Sequence, residues 1–214
     1  MHISGGVIVA LEEHETRHPA RARVVDAGGM YVMPGGIDVH VHGRDPGFPE
    51  KEDFGTATLA AGSGGVTTVI DMPNTIPGVG SGSLLESKAA LARSKARVDF
   101  GLWALIPSTS TADQLEELAR AGAIGFKAYL GYAFSLSRKQ VLYVPDAADP
   151  DLEAPPDYGT LLRLAPVLAA LVRRLVIHAE DPAILSAFRP PLGSSLDRPP
   201  ARPPDRAASP IVAA

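Results

Sequence analysis

Cysteine is absent from the 214 residues. That excludes disulfides and thiolate metal ligands, and leaves any metal chemistry to His, Asp, Glu and Lys. Aromatic residues are scarce, at 6% with one tryptophan. Neither charge sign dominates: 20 Lys and Arg stand against 24 Asp and Glu, a formal charge of −4. No nucleic-acid partner and no anionic-membrane partner is expected from that balance. No apolar run is long enough to cross a bilayer, and no basic-then-apolar start marks a signal peptide, so a cytoplasmic protein is the default expectation.

Hydrophobic residues make up 45% of the chain, which is long enough for one domain with a real core. Prolines are frequent, and three Pro-Pro pairs fall late, at Pro190-Pro191, Pro199-Pro200 and Pro203-Pro204. Proline lacks the backbone donor and fixes φ, so a Pro/Arg-rich tail over 189–214 is expected to be irregular.

Residues 1–33 read as a short β segment, with strands at Val7-Ile8-Val9 and Arg23-Val24-Val25 and a turn at Gly28-Gly29. A different rhythm begins at Pro34 and is expected to run to about residue 188. Strands are predicted at Ile37–His42, Val66–Met72, Val98–Ile106, Ile124–Leu130 and Leu175–His178. Helices are predicted between them at Glu52–Ala61, Leu84–Lys95 capped by Ser83, Thr111–Ala121 with a capping box, and Tyr158–Arg174 containing Pro166. Alternating strands and helices imply βαβ units and parallel strands. The fold class is therefore α/β, with about the first five strands of a TIM (β/α)8-type barrel, whose complete form takes roughly 250 residues. Residues 130–157 form a long connection, as functional loops or insertions do.

Three short segments carry the chemistry. In Asp38-Val39-His40-Val41-His42, strand alternation sends His40 and His42 to one face. Two imidazoles side by side can hold one divalent ion, or the two histidines can be unrelated. Lys127 lies inside the apolar strand Gly125-Phe126-Lys127-Ala128-Tyr129. A buried lysine must be paired, neutralised or modified, unless it snorkels from the strand end. His178 ends Val176-Ile177-His178 and is either a core histidine or a further ligand. In a barrel, the C-terminal ends of these strands converge on one site.

Residues 33–47 (Met33-Pro34-Gly35-Gly36-Ile37-Asp38-Val39-His40-Val41-His42-Gly43-Arg44-Asp45-Pro46-Gly47) resemble the signature of dihydroorotases in the amidohydrolase superfamily, whose relatives include hydantoinases and allantoinases. Gly65–Thr75, Gly125-Phe126-Lys127 and His178-Ala179-Glu180-Asp181 match three further blocks in the family's order. The resemblance covers roughly residues 24–185. It implies two divalent metal ions, most simply zinc, with His40 and His42 on the more buried one and His178 on the second. Lys127 would bridge them as a CO2-derived carbamate, which turns a costly buried cation into an anionic ligand. The implied reaction is hydrolysis of a cyclic amide by a metal-bridging hydroxide. Arg44 and Asn74 match positions that hold the substrate. For each there is a plainer alternative: a salt bridge of Arg44 with Asp45 or Glu50, or a turn residue after Pro73. A guanidinium at position 44 tilts the substrate toward dihydroorotate, and hence the role toward pyrimidine biosynthesis; hydantoin and allantoin are the alternatives.

The family also uses a later metal-binding histidine and a late aspartate that shuttles the proton. After His178 no histidine follows, and Glu180, Asp181, Asp197 and Asp205 are not expected to replace the aspartate. No catalytic general acid or base is therefore assigned in this chain. A catalytically inactive remnant that binds metal or a partner is the competing expectation. A half-barrel leaves its first and fifth strands unpaired on one side, so a homo-oligomer acting on a small cyclic amide is expected.

Overall fold

The computed structural model describes residues 1–12, 21–142, 149–181 and 184. The expected irregular tail over 189–214 lies outside these residues. The chain divides into two compact units, Met1–Pro34 and the part from Gly35 onward.

In the first unit β1 (His2–Ser4) and β2 (Val7–Ala10) pair as an antiparallel hairpin. The turn at Gly28-Gly29 forms, closed by the Met30 amide donating to Ala27 O at 2.9 Å. The strand expected at Arg23–Val25 does not form, and Val24 and Val25 are exposed. β-branched residues favour a strand only where a partner and a core receive them.

The second unit carries the barrel series: β3 (Gly36–Val41), α1 (Phe54–Ser63), β4 (Val66–Asp71), α2 (Gly82–Lys95), β5 (Asp99–Leu105), α3 (Ala112–Arg120) and β6 (Gly125–Tyr129). Then come three short strands, β7 (Ala133–Ser135), β8 (Gln140–Leu142) and β9 (Leu152–Glu153), followed by α4 (Tyr158–Ala170) and β10 (Arg174–His178). The main sheet has five parallel strands in the order β10-β6-β5-β4-β3. Each strand added by the chain lies beside the previous one, with no reversal of direction. A doubly wound sheet reverses partway, whereas a barrel does not. The expected partial (β/α) barrel is thus the observed fold, and β3 and β10 are its edges.

Alternation along the strands builds two layers. Leu102, Ala104, Phe126 and Ala128 point outward and pack against Leu115 and Leu118 of α3 and Leu161, Leu164 and Leu168 of α4. Each large apolar side chain buried there contributes roughly 1.5–3 kcal/mol. Ile70, Met72 and Trp103, with Val176 beside them, form a separate cluster on the other face. Trp103 donates its indole N–H to Val39 O at 3.0 Å, and its ring covers Gly125, where a Cβ would also meet Arg174 O at 2.7 Å. Only glycine leaves room for that ring.

Two local expectations are corrected. The cap of α2 is Ser81, which accepts from the Leu84 amide at 3.4 Å, and Ser83 lies inside the helix. The extra turn is held from α3, where Glu117 accepts the Gly82 amide at 2.8 Å. Helix α4 stops at Ala170, short of Arg174, because Arg174 is already paired with Gly125 of β6. Pro166 stays inside α4; it and Leu162, whose carbonyl it cannot serve, are both on the exposed face. The long connection after β6 also has structure of its own. β8-β7-β9 is an antiparallel sheet, and Phe134 and Val141 pack on Leu105, Tyr129 and Tyr132. The expected capping box of α3 forms, and of the two caps open to it, Ser110 and Thr111, it uses Thr111, paired with Gln114. Among the described residues no helix is long and apolar enough to cross a membrane.

Candidate metal and substrate site

His40 and His42 leave the end of β3 on one side, with ring centroids 5.4 Å apart. Val41 goes to the other side and lines a pocket with Phe54, Ala57, Thr58 and Asp71. Burial lowers the pKa of both imidazoles. The charges of Lys127 and His178 lower that of His40 further, and Arg44 acts likewise on His42. Both rings are therefore held toward the neutral form that ligates metals. Nδ1 of His42 lies 2.9 Å from Asn74 Oδ1, an atom that only accepts, so Nδ1 carries the proton and Nε2 keeps its lone pair. A histidine ligand is commonly oriented in this way by a polar partner on its other nitrogen.

Lys127 is 1% exposed, so it does not snorkel to solvent. Burial pulls its pKa down to about 8. Its Nζ sits 4.9 Å from the centre of the Tyr129 ring. In register, Lys127 stands beside Leu105 on one side and Val176 on the other, and His178 stands beside Tyr129. His178 is half-buried, its Nε2 lying 3.3 Å from Glu180 Oε1 and 3.3 Å from the Tyr132 hydroxyl. That hydroxyl also donates to Glu180 Oε2.

The six residues singled out from the sequence thus fall on or just beyond four strands, β3, β4, β6 and β10. His40 and His42 touch, and Asn74 is hydrogen-bonded to His42. Lys127, His178 and Arg44 lie near enough for their charges to act on the two imidazoles. Arg44 gets there by a turn with φ 59°, not by strand alternation, since β3 ends at Val41. Asp45 is paired with Lys95 at 2.6 Å and not with Arg44. Among the described residues no three His, Cys, Asp or Glu side chains cluster as a metal site. The donor set fits an ion once Lys127 becomes anionic: two neutral imidazoles and a buried amine whose proton affinity burial lowers.

Sequence reading missed Asp71, Lys88, Trp103 and Tyr132. Lys88 had a usable signal: on α2 it shares the buried stripe of Leu85 and Ala92, where a lysine needs a partner. Tyr132 had none, because its place beside His178 arises across 46 positions of sequence.

A partial (β/α) barrel with histidines and a buried lysine at its strand ends defines the class as an amidohydrolase-type barrel. The Dihydro-orotase-like family profile matches residues 29–141, more than half of the chain, and the chain belongs to that family. An allantoinase from Streptomyces avermitilis is 37% identical over 188 residues, which is 86% of this chain and 38% of that protein. A dihydroorotase from Methanosarcina mazei is 47% identical over 103 residues, 48% of this chain and 22% of that protein. An L-hydantoinase (dihydropyrimidinase) from Arthrobacter aurescens superposes with a TM-score of 0.62 at 29% identity, covering 77% of this chain and 33% of the hydantoinase. The chain therefore spans well under half the length of these relatives.

Proposed function

We propose that this chain carries the metal-binding part of a hydrolase that opens a small cyclic amide, dihydroorotate being the first candidate. What supports this reading is one observation: His40 and His42 stand side by side at the end of β3, their ring centroids 5.4 Å apart, and Asn74 beyond the neighbouring β4 holds the His42 ring through a 2.9 Å hydrogen bond.

In this reading His40 and His42 would hold one zinc ion, His42 through Nε2, and His178 would hold a second. The Nζ of Lys127, neutral in part because burial lowers its pKa, attacks CO2. An N–C bond forms as one C–O π bond of CO2 opens onto oxygen, one proton leaves to solvent, and the lysine becomes a carbamate anion that would serve as a metal ligand. Bound ions would polarise the ring carbonyl and lower the pKa of a water. Arg44 offers paired donors to a substrate carboxylate. Asn74 orients His42 through their hydrogen bond. The proton donor for the leaving nitrogen is not among these residues. Cytoplasmic location belongs to the same reading. So does a homo-oligomer, which the edge positions of β3 and β10 among the described residues support.

A second substrate, allantoin, is favoured by the longer match to the allantoinase, 188 residues against 103. The test is zinc titration of the 214-residue chain in bicarbonate, followed by assays with dihydroorotate, allantoin and hydantoin. Zinc binding that disappears in His40→Ala, with turnover of dihydroorotate, supports the first reading. Turnover of allantoin alone replaces the substrate. Zinc binding without turnover leaves an inactive metal-binding chain, and absence of zinc binding overturns the proposal.

A further inference from the structure

Asp71 ends β4 and Lys88 lies in the middle of α2, at 1% and 2% exposure. Lys88 Nζ is 2.5 Å from Asp71 Oδ2 and donates to Met72 O at 2.8 Å. The other carboxylate oxygen, Oδ1, accepts the Gly43 amide at 2.6 Å. Position 43 admits no larger residue comfortably, since a Cβ would lie 3.1 Å from that same oxygen.

These contacts sit where the sheet stops. The β3–β4 ladder ends at Val41 beside Asp71, and one last backbone bond, Met72 N–H to Val41 O at 2.8 Å, closes it. Beyond that point the backbone needs other partners. Gly43 directly follows His42, and Met72 is two residues before Asn74. The ion pair therefore grips both loops just outside the residues that meet through the His42–Asn74 hydrogen bond. Buried ion pairs are often replaceable by apolar residues without loss of stability, so stability alone does not account for one here. Apolar residues, however, offer nothing to the Gly43 amide or the Met72 carbonyl.

We propose that Asp71 and Lys88 are a positioning pair whose ties to Gly43 and Met72 hold His42 and Asn74 at the separation that fixes the His42 ring. The consequence for metal binding rests on the reading of His42 as a ligand; the positioning itself does not. Neither residue touches the reacting atoms.

The test uses the full chain with 15N-labelled histidine. In the unsubstituted chain, His42 gives separate protonated Nδ1 and unprotonated Nε2 signals. In Lys88→Met/Asp71→Leu, which removes both charges and both ties, those signals average, and zinc affinity falls by about tenfold or more. Lys88→Gln/Asp71→Asn keeps neutral hydrogen-bonding groups and restores both readouts. An apolar double variant that melts as a folded protein and keeps the fixed tautomer overturns the proposal. A measurement on the unsubstituted chain guards against a variant that does not fold. The Gly43 amide is expected to exchange with solvent as slowly as the β4 amides, and exchange at loop rates also overturns the proposal. If the unsubstituted chain binds no zinc, the metal reading fails, while the tautomer and exchange readouts still decide the role of the pair.

Discussion

His42 and Asn74 meet through a single 2.9 Å hydrogen bond, with the imidazole Nδ1 donating to the amide oxygen. The bond joins the ends of two adjacent parallel strands and leaves Nε2 as the nitrogen able to ligate. A residue that the motif alone assigns to substrate thus has a structural partner within the candidate metal site.

Asn74→Ala frees the His42 ring to rotate and to change tautomer. Zinc affinity is expected to fall by roughly 10–100-fold, as measured by competition with a chromophoric chelator. Unchanged zinc affinity, together with a raised KM for the cyclic amide, would instead assign the amide to the substrate.

Lys127 has its pKa lowered by burial from 10.5 to about 8. Between those two values the unfolded chain holds a proton that the folded chain has released. Stability therefore rises with pH across that window, and the penalty is fully present below about 8. Without metal or CO2, Lys127→Met is expected to be more stable than the unsubstituted chain at pH 7, by about 2–3 kcal/mol. The gap should close toward the upper end of the window. Urea unfolding at two pH values reads it, and a gap independent of pH would remove the buried charge as its cause.

Carbamate formation needs the neutral amine, so it should increase as pH rises through the Lys127 pKa of about 8. With 13C-bicarbonate, a carbamate carbon signal should appear and grow over that range, and should be missing in Lys127→Ala. A signal that survives the substitution belongs to another amine.

Gly125→Ala puts a Cβ into the Trp103 ring and 2.7 Å from Arg174 O. Overpacking of this kind costs about 1–3 kcal/mol. Denaturant unfolding followed by the fluorescence of the one tryptophan should show the loss directly. A midpoint equal to that of the unsubstituted chain would mean that the ring moves aside freely.

Arg44→Gln removes a guanidinium whose charge reaches His42. If the substrate carries a carboxylate, KM should rise by about 10–100-fold, the worth of a charged hydrogen bond, with zinc content unchanged. An unchanged KM for dihydroorotate would argue for an uncharged ring such as allantoin.

Much of the barrel was legible because its signals are local. Thr111 and Gln114 announce the start of α3 within four residues, and the apolar strands between helices announce parallel pairing. The errors were local as well. Ser83 competed with Ser81 as a cap, and Glu117 on a neighbouring helix decided between them. Arg23–Val25 has strand-forming residues, but among the described residues no strand pairs with it.

By itself the sequence determined the order of the β/α units, the residues at the strand ends and the family, since periodicity, capping and motif spacing are written in consecutive residues. Only the tertiary structure decided that Asn74 orients His42, that Lys88 answers Asp71, and that Trp103 lies over Gly125. Each of these depends on strand register and helix docking between distant segments. The same is true of Lys127: its place in an apolar strand was plain, but only packing on both sides of β6 removes its charge from water and lowers its pKa.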